Sequence, residues 1–283
     1  NYTLTQPTVA DATITAKALT LTGVAAADKD YDGDTDAGLS GGTLVGVVGS
    51  DDVDFSAGTG SFASSNVGTW TITASGYVLT GGDAGNYTLT QPTVADASIS
   101  AKTLTLTGVT ASGKDYDGDA DADLSGGALV GVISGDDVEF IAGSGLFASK
   151  NAGTWSVTAS GYALGGGDAG NYTLTQPTVA DATITAKALT LTGVTASGKD
   201  YDGDADADLS GGTLVGIVGS DDVEFSAGSG SFASKNVGTW TVTATGYALT
   251  GGDAGNYTLT QPTVADATVT AKALTLTGVA AAD

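Results

Sequence analysis

The sequence predicts an all-β protein, a tandem array of small immunoglobulin-like β-sandwich domains joined end to end in a rod. Three observations carry that expectation. The stretch Asn-Tyr-Thr-Leu-Thr-Gln-Pro-Thr-Val-Ala-Asp starts at Asn1, Asn86, Asn171 and Asn256, always 85 residues apart. Apolar residues alternate with Thr or Ser at period two, and no window shows a 3.6-residue apolar stripe of helical length. Clusters of Gly and Asp punctuate the alternation at short intervals. A fixed period implies a quasi-one-dimensional architecture. At 85 residues the period is too long for a solenoid coil and suits a small β-domain, marginal alone and helped by its neighbours. The expected organisation is 1–16 as the C-terminal end of a truncated repeat, repeat domains at 17–101, 102–186 and 187–271, and 272–283 as the start of a further repeat. Both ends fall inside repeats, so the chain reads as a window on a longer array.

The unit from Lys102 to Ala186 shows the elements in order. Thr103 to Val109 alternates Thr with Leu, a strand with one wet face. An acidic, turn-rich run from Lys114 to Leu124 surrounds Tyr116, and Ala128 to Ile133 reads as a second strand. Val138 to Ile141 and Leu146–Phe147 then read as a hairpin around Ala142-Gly-Ser-Gly145. Ile141 and Leu146 are both Ser in the other units (Ser56 with Ser61, Ser226 with Ser231), which suggests an exposed cross-strand pair with Phe140 and Phe147 facing the core. Gly153 to Ala159 alternates again, with Trp155, Val157 and Ala159 on one face, and Gly161 to Leu164 extends it. In the signature stretch Pro177 interrupts the ladder, which implies an edge or a bulge. The segment from Ala180 to Thr192 has neither Gly nor Pro, so the join between units reads as stiff rather than as a tether. Six to eight strands per unit result, their order left open. At ~3.3 Å per strand residue a unit is on the order of 40 Å long.

Composition excludes several functions. Lys+Arg is 9, all of it Lys, against 32 Asp+Glu, for a net charge of -23. Nucleic acid and anionic lipid both require a basic surface. No run is apolar and long enough to insert in a membrane. Without Cys or His there are no disulfides, no thiol chemistry and neither the commonest general base nor the commonest transition-metal ligand. The chain therefore reads as a non-enzyme, with no catalytic residues to assign.

The acidic run is the candidate metal site. Asp115, Asp117, Asp119, Asp121 and Asp123 alternate, with Asp136 and Asp137 nearby in sequence. Their equivalents are Asp30, Asp32, Asp34, Asp36, Asp51 and Asp52 in the first unit. In the third they are Asp200, Asp202, Asp204, Asp206, Asp208, Asp221 and Asp222. Calcium takes six to eight oxygens, which clustered carboxylates in a turn can supply. The run lacks the EF-hand's obligatory Gly, with Ala120 in its place, and the alternating carboxylates equally describe a solvated acidic edge. Lys102, Lys114 and Asn171 recur in every unit and raise a Lys–Asn cross-link, against plain roles at a strand start and in a turn. Tyr116, Tyr162, Tyr172 and Trp155 raise a sugar platform, against core packing.

At Lys-Asp-Tyr-Asp-Gly (Lys29 to Gly33, Lys114 to Gly118, Lys199 to Gly203) the array resembles the bacterial YDG-type repeat. The paired Asp, Asn-Val-Gly-Thr and Gly-Asp-Ala-Gly-Asn-Tyr-Thr-Leu match too, so the resemblance covers essentially the whole chain. Such repeats occur in very large secreted or surface-attached bacterial proteins, including filamentous-haemagglutinin-like adhesins. The resemblance implies an extracellular or bacterial cell-surface location and a stalk or fibre segment spacing a distal adhesive element. The expected partners are neighbouring repeats of the same chain. Alternatives are direct multivalent adhesion to a glycan or a cell, and other copies of the same protein in a filament. The units Asn86–Gly170 and Asn171–Gly255 differ at only 14 positions, which suits lateral packing of near-identical copies.

Overall fold

The computed structural model describes residues 1–278. It is all-β, with strands throughout the three copies and only single turns of 3-10 helix, at Ala84–Asn86, Ala169–Asn171 and Ala254–Asn256. Two compact units divide it. The first holds 1–106, 129–141 and 163–175; the second holds 107–128, 142–162 and 176–283. The middle copy is thus shared. One part packs with the first copy and the other with the third, and the boundary runs through a repeat rather than between repeats.

The first copy lies wholly in one unit and contains eleven strands. They are β1 (Lys17–Ala26), β2 (Lys29–Asp30), β3 (Asp36–Ala37), β4 (Leu39–Val45), β5 (Asp54–Ser56), β6 (Thr59–Phe62), β7 (Gly68–Trp70), β8 (Ile72–Ser75), β9 (Val78–Thr80), β10 (Tyr87–Thr90) and β11 (Ala97–Ser100). They form sheets of order β10-β1-β4, β2-β11-β7, β3-β6-β8 and β5-β9. β1 runs parallel to β10 (Lys17 opposite Tyr87) and antiparallel to β4 (Leu21 opposite Leu44). β11 runs parallel to β2 and antiparallel to β7. The parallel pairs are a local addition to the antiparallel pattern of an immunoglobulin sandwich. They bring the end of each copy back onto its beginning.

Alternation dictates the faces. In β1, Leu19, Leu21 and Val24 are buried while the intervening Thr point outward. Where Pro92 ends the β10 ladder, the Gln91 side chain substitutes for backbone: its Oε1 accepts from the Tyr77 N–H at 3.0 Å and its Nε2 donates to the Tyr77 carbonyl at 2.9 Å. This satisfies both main-chain groups that proline leaves unpaired.

Two local expectations are corrected. The Phe140/Phe147 hairpin does not form: 139–141 pairs with 163–165, and 144–147 pairs with 121–122 and 157–160. Ile141 and Leu146 are each about half exposed, so their shared change to Ser reflects common exposure to water, not cross-strand pairing. The run from Gly153 to Ser160 is two strands, because the chain changes sheet at Ser156; the first copy changes at Thr71. Switching sheets shortens each strand, which is why a copy holds eleven strands rather than six to eight. The join between copies stays extended, with Ala101 alone separating β11 from the strand Lys102–Ala111.

The largest cores lie where consecutive copies meet. In the first unit, Tyr31, Phe62, Ile72 and Ile99 of copy one pack with Leu104 and Tyr172 of copy two. In the second unit, Tyr116, Phe147, Val157 and Ile184 of copy two pack with Leu189, Val223 and Tyr257 of copy three. Smaller clusters sit inside single copies, such as Leu21, Val24, Ala74 and Tyr77. A copy of this size buries too little apolar surface alone, and the shared core supplies the remainder.

Candidate functional site

The Lys-Asp-Tyr-Asp-Gly loop is built for contact with the next copy. β2 is held parallel to β11, with the Tyr31 N–H donating to the Ser100 carbonyl at 2.8 Å, and this directs the Tyr31 ring into the shared core. The Tyr31 hydroxyl donates to Asp136 Oδ2 at 2.8 Å, and Tyr172 donates to the same oxygen at 2.5 Å. The two rings meet edge to face, with centroids 5.3 Å apart and planes at 78°. The Tyr172 oxygen also accepts from the Ile133 N–H at 3.0 Å, which fixes the turn carrying Asp136. The second junction repeats this with Tyr116, Asp221, Tyr257 and Val218.

Each member of the Tyr-Asp-Gly triplet has its own task. Asp117 pairs with Lys114 at 2.8 Å and accepts from the Asp119 N–H at 3.2 Å, closing the loop. Gly118 sits at φ +91°, and a Cβ there would lie 3.0 Å from Val218 Cγ1 of the following copy. Gly33 has the same relation to Ile133, at 3.2 Å. Glycine answers both the left-handed backbone and the close approach.

A second contact accompanies the first. Asn171, only 6% exposed, accepts from the Val67 N–H at 2.9 Å, and its amide donates to Asn66 Oδ1 at 3.2 Å. Asn256 does the same with Ala152 and Asn151. Asn66 is anchored in turn, its carbonyl accepting from Trp70 Nε1 at 2.6 Å. The signature Asn and the Asn-x-Gly-Thr-Trp segment are therefore the two halves of one contact.

Electrostatics follow the geometry. Burial and the hydrogen bond to Asp136 push the Tyr31 hydroxyl up to about 12. Tyr116 rises for the same reasons, burial first and Asp221 second. Hydrogen bonds from Tyr257 and Tyr116 hold Asp221 below the ordinary carboxylate range. A carboxylate stabilised by two phenols, and phenols held neutral by a carboxylate, form one self-consistent charge state.

The sequence-predicted calcium ligands are divided among separate tasks. Asp115 accepts from the Thr185 hydroxyl; Asp30 and Asp200 accept from Ser100 and Thr270. Asp117 and Asp119 share the Lys114 ammonium, as Asp32 and Asp34 share Lys29 and Asp202 and Asp204 share Lys199. Asp34, Asp119 and Asp204 also accept from the N–H of Asp36, Asp121 and Asp206, which are exposed strand residues. Asp123 and Asp208 are exposed. Asp51 takes the hydroxyl of Tyr87, whereas Asp136 and Asp221 take two tyrosines each. Asp52, Asp137 and Asp222 close the turn to Gly82, Gly167 and Gly252. Asp136 and Asp137 fall in the first compact unit, and Asp115 to Asp123 in the second. Among the described residues no group of three or more carboxylates is disposed to hold a metal ion. For the Lys–Asn pairs, Asn171 is engaged by Asn66 and Val67, and Lys114 by Asp117 and Asp119. Sequence reasoning placed Tyr116 and Tyr172 in the core but did not single out the Tyr–Asp contact. Its one available signal was the paired Asp recurring with every Tyr-Asp-Gly.

A family model described as the YDG domain matches residues 15–95, 100–180 and 185–265. No curated protein matches the chain. A solved structure titled "Crystal structure of Drosophila N-cadherin EC1-4" aligns over 88% of this chain and 74% of its own. Its identity is 9% and its TM-score 0.22, too low for the likeness to carry an argument.

Proposed function

The chain belongs to the YDG domain family, and from that premise we propose that it is a non-enzymatic stalk or fibre segment of a large bacterial surface or secreted protein. Its task in this reading is to hold a distal adhesive element away from the cell. One observation carries the proposal: each Tyr-Asp-Gly loop followed by a complete copy buries its tyrosine against that copy's carboxylate. Successive copies are then fixed by side chains as well as by the peptide link. A spacer needs that property, and a string of independent binding modules does not. The acidic surface suits this role, because like charge keeps long arrays soluble and apart.

Small-angle X-ray scattering of the 283-residue chain, in chelator and in calcium, tests the reading. We expect one extended particle whose maximum dimension is the same in both buffers. The melting temperature should rise no more in calcium than in magnesium at equal ionic strength, since Lys114 already neutralises Asp117 and Asp119. A profile typical of freely jointed beads would overturn the stalk. A calcium-specific rise in melting temperature would assign the ion to the alternating carboxylates.

A further inference from the structure

The chain carries two complete junctions and two open halves of the same junction. In the first copy the receiving half is preformed. Tyr87 donates to Asp51 at 2.5 Å and accepts from the Val48 N–H at 3.0 Å, as Tyr172 does with Asp136 and Ile133. No preceding Tyr-Asp-Gly loop covers it, so Val48 is 51% exposed and Asn86 is exposed, where Asn171 and Asn256 are buried. In the third copy the inserting half is preformed as well, with Phe232 and Val269 buried in their own cluster. There Tyr201 is 37% exposed against 4% and 1% for Tyr31 and Tyr116, and a Cβ on Gly203 would meet nothing within 4 Å.

We propose that these two faces bind each other between molecules, so that the chain associates head to tail with a second copy of itself. The occupant is read from the internal junctions: Tyr201 takes Asp51 of the second molecule, and Asn86 of that molecule takes the backbone at Asn236 and Val237. Residues 1–16 and 272–278 are exposed and carry no strand, so neither is packed into either face. The contact is heterologous and does not close on itself, so it continues as an open filament. With a net charge of -23 on every chain, association strengthens as salt screens the repulsion. This goes beyond the stalk reading and does not depend on it.

Sedimentation equilibrium of the 283-residue chain, from micromolar to millimolar in high salt, is the test. The expected mass average climbs with concentration without levelling at a dimer. Tyr201→Phe and Asp51→Ala, each removing a charge-assisted hydrogen bond, weaken association by roughly tenfold or more. An equimolar mixture of the two variants keeps one intact pairing, and its mass rises toward a dimer and stops there. That result also shows both variants to be folded. A chain monomeric at every concentration overturns the proposal. So does association that ignores both variants, or that is lost instead when Ile141 and Leu146 are changed to Ser.

Discussion

Removing one hydroxyl from the middle Tyr-Asp-Gly triplet tests whether the motif acts across the junction. Tyr116 is 1% exposed and donates to Asp221 at 2.8 Å, whereas Tyr201, at the same position one copy later, is 37% exposed. In Tyr116→Phe the ring keeps its packing against Tyr257, and only the charge-assisted hydrogen bond is lost. Such a bond contributes about 1.5–3 kcal/mol. Surface changes away from such features stay within about 0.5 kcal/mol, which is the expectation for Tyr201→Phe in dilute solution. Urea unfolding followed by tryptophan emission measures both, since Trp70, Trp155 and Trp240 report one copy each. With a slope of about 2 kcal/mol per molar urea, Tyr116→Phe should move the affected transition down by about 1 M, and Tyr201→Phe should leave it in place. Equal shifts for the two variants, or none for Tyr116→Phe, would refute the assignment of the tyrosine to the following copy. A change in slope rather than midpoint would also count against it, because the variant removes no compact structure.

Two further outcomes follow from the same contact. The Tyr31 hydroxyl is raised from an ordinary 10.0 to about 12, so its contribution is complete below pH 10 and is lost as pH rises through 12. Asp221 is lowered from an ordinary 3.8, so its contribution is present above that value and is lost as pH falls through the depressed one. Melting temperature should therefore be flat between about pH 4 and 10 and fall on both sides, with late tyrosinate absorbance for Tyr31; early, simultaneous ionisation of every tyrosine would contradict the buried contact. Gly118→Ala meets both a φ of +91° and Val218 at 3.0 Å, while Gly203→Ala meets only a φ of +97°. Thermal unfolding should show about 2–3 kcal/mol lost at Gly118 and about 1 kcal/mol at Gly203.

What could be read from the residues was whatever is local or periodic. The alternation in Thr103 to Val109 fixed the buried set Leu104, Leu106 and Val109. The spacing of the signature stretch fixed the copies, and the absence of any helical stripe fixed the class. Strand partners were not legible. Residues 141 and 146 change together because both face water, and a shared face is compatible with many pairings. The Tyr–Asp contact spans 105 residues, one period plus 20, so no window of a single repeat contains both ends. The acidic run misled in an instructive way. Its alternation is real, but the ammonium of Lys114, three and five residues before Asp117 and Asp119, gives those carboxylates a partner already in the chain.

The shared core also bears on how such a gene can change in length. Each interface joins the tail of one copy to the head of the next, and the two interfaces present here use the same residue types. Excising any 85 consecutive residues between the first loop and the last turn rejoins a tail to a head of matching chemistry, wherever the cut falls. Recombination between repeats can therefore lengthen or shorten the array in whole steps without leaving an unmatched seam.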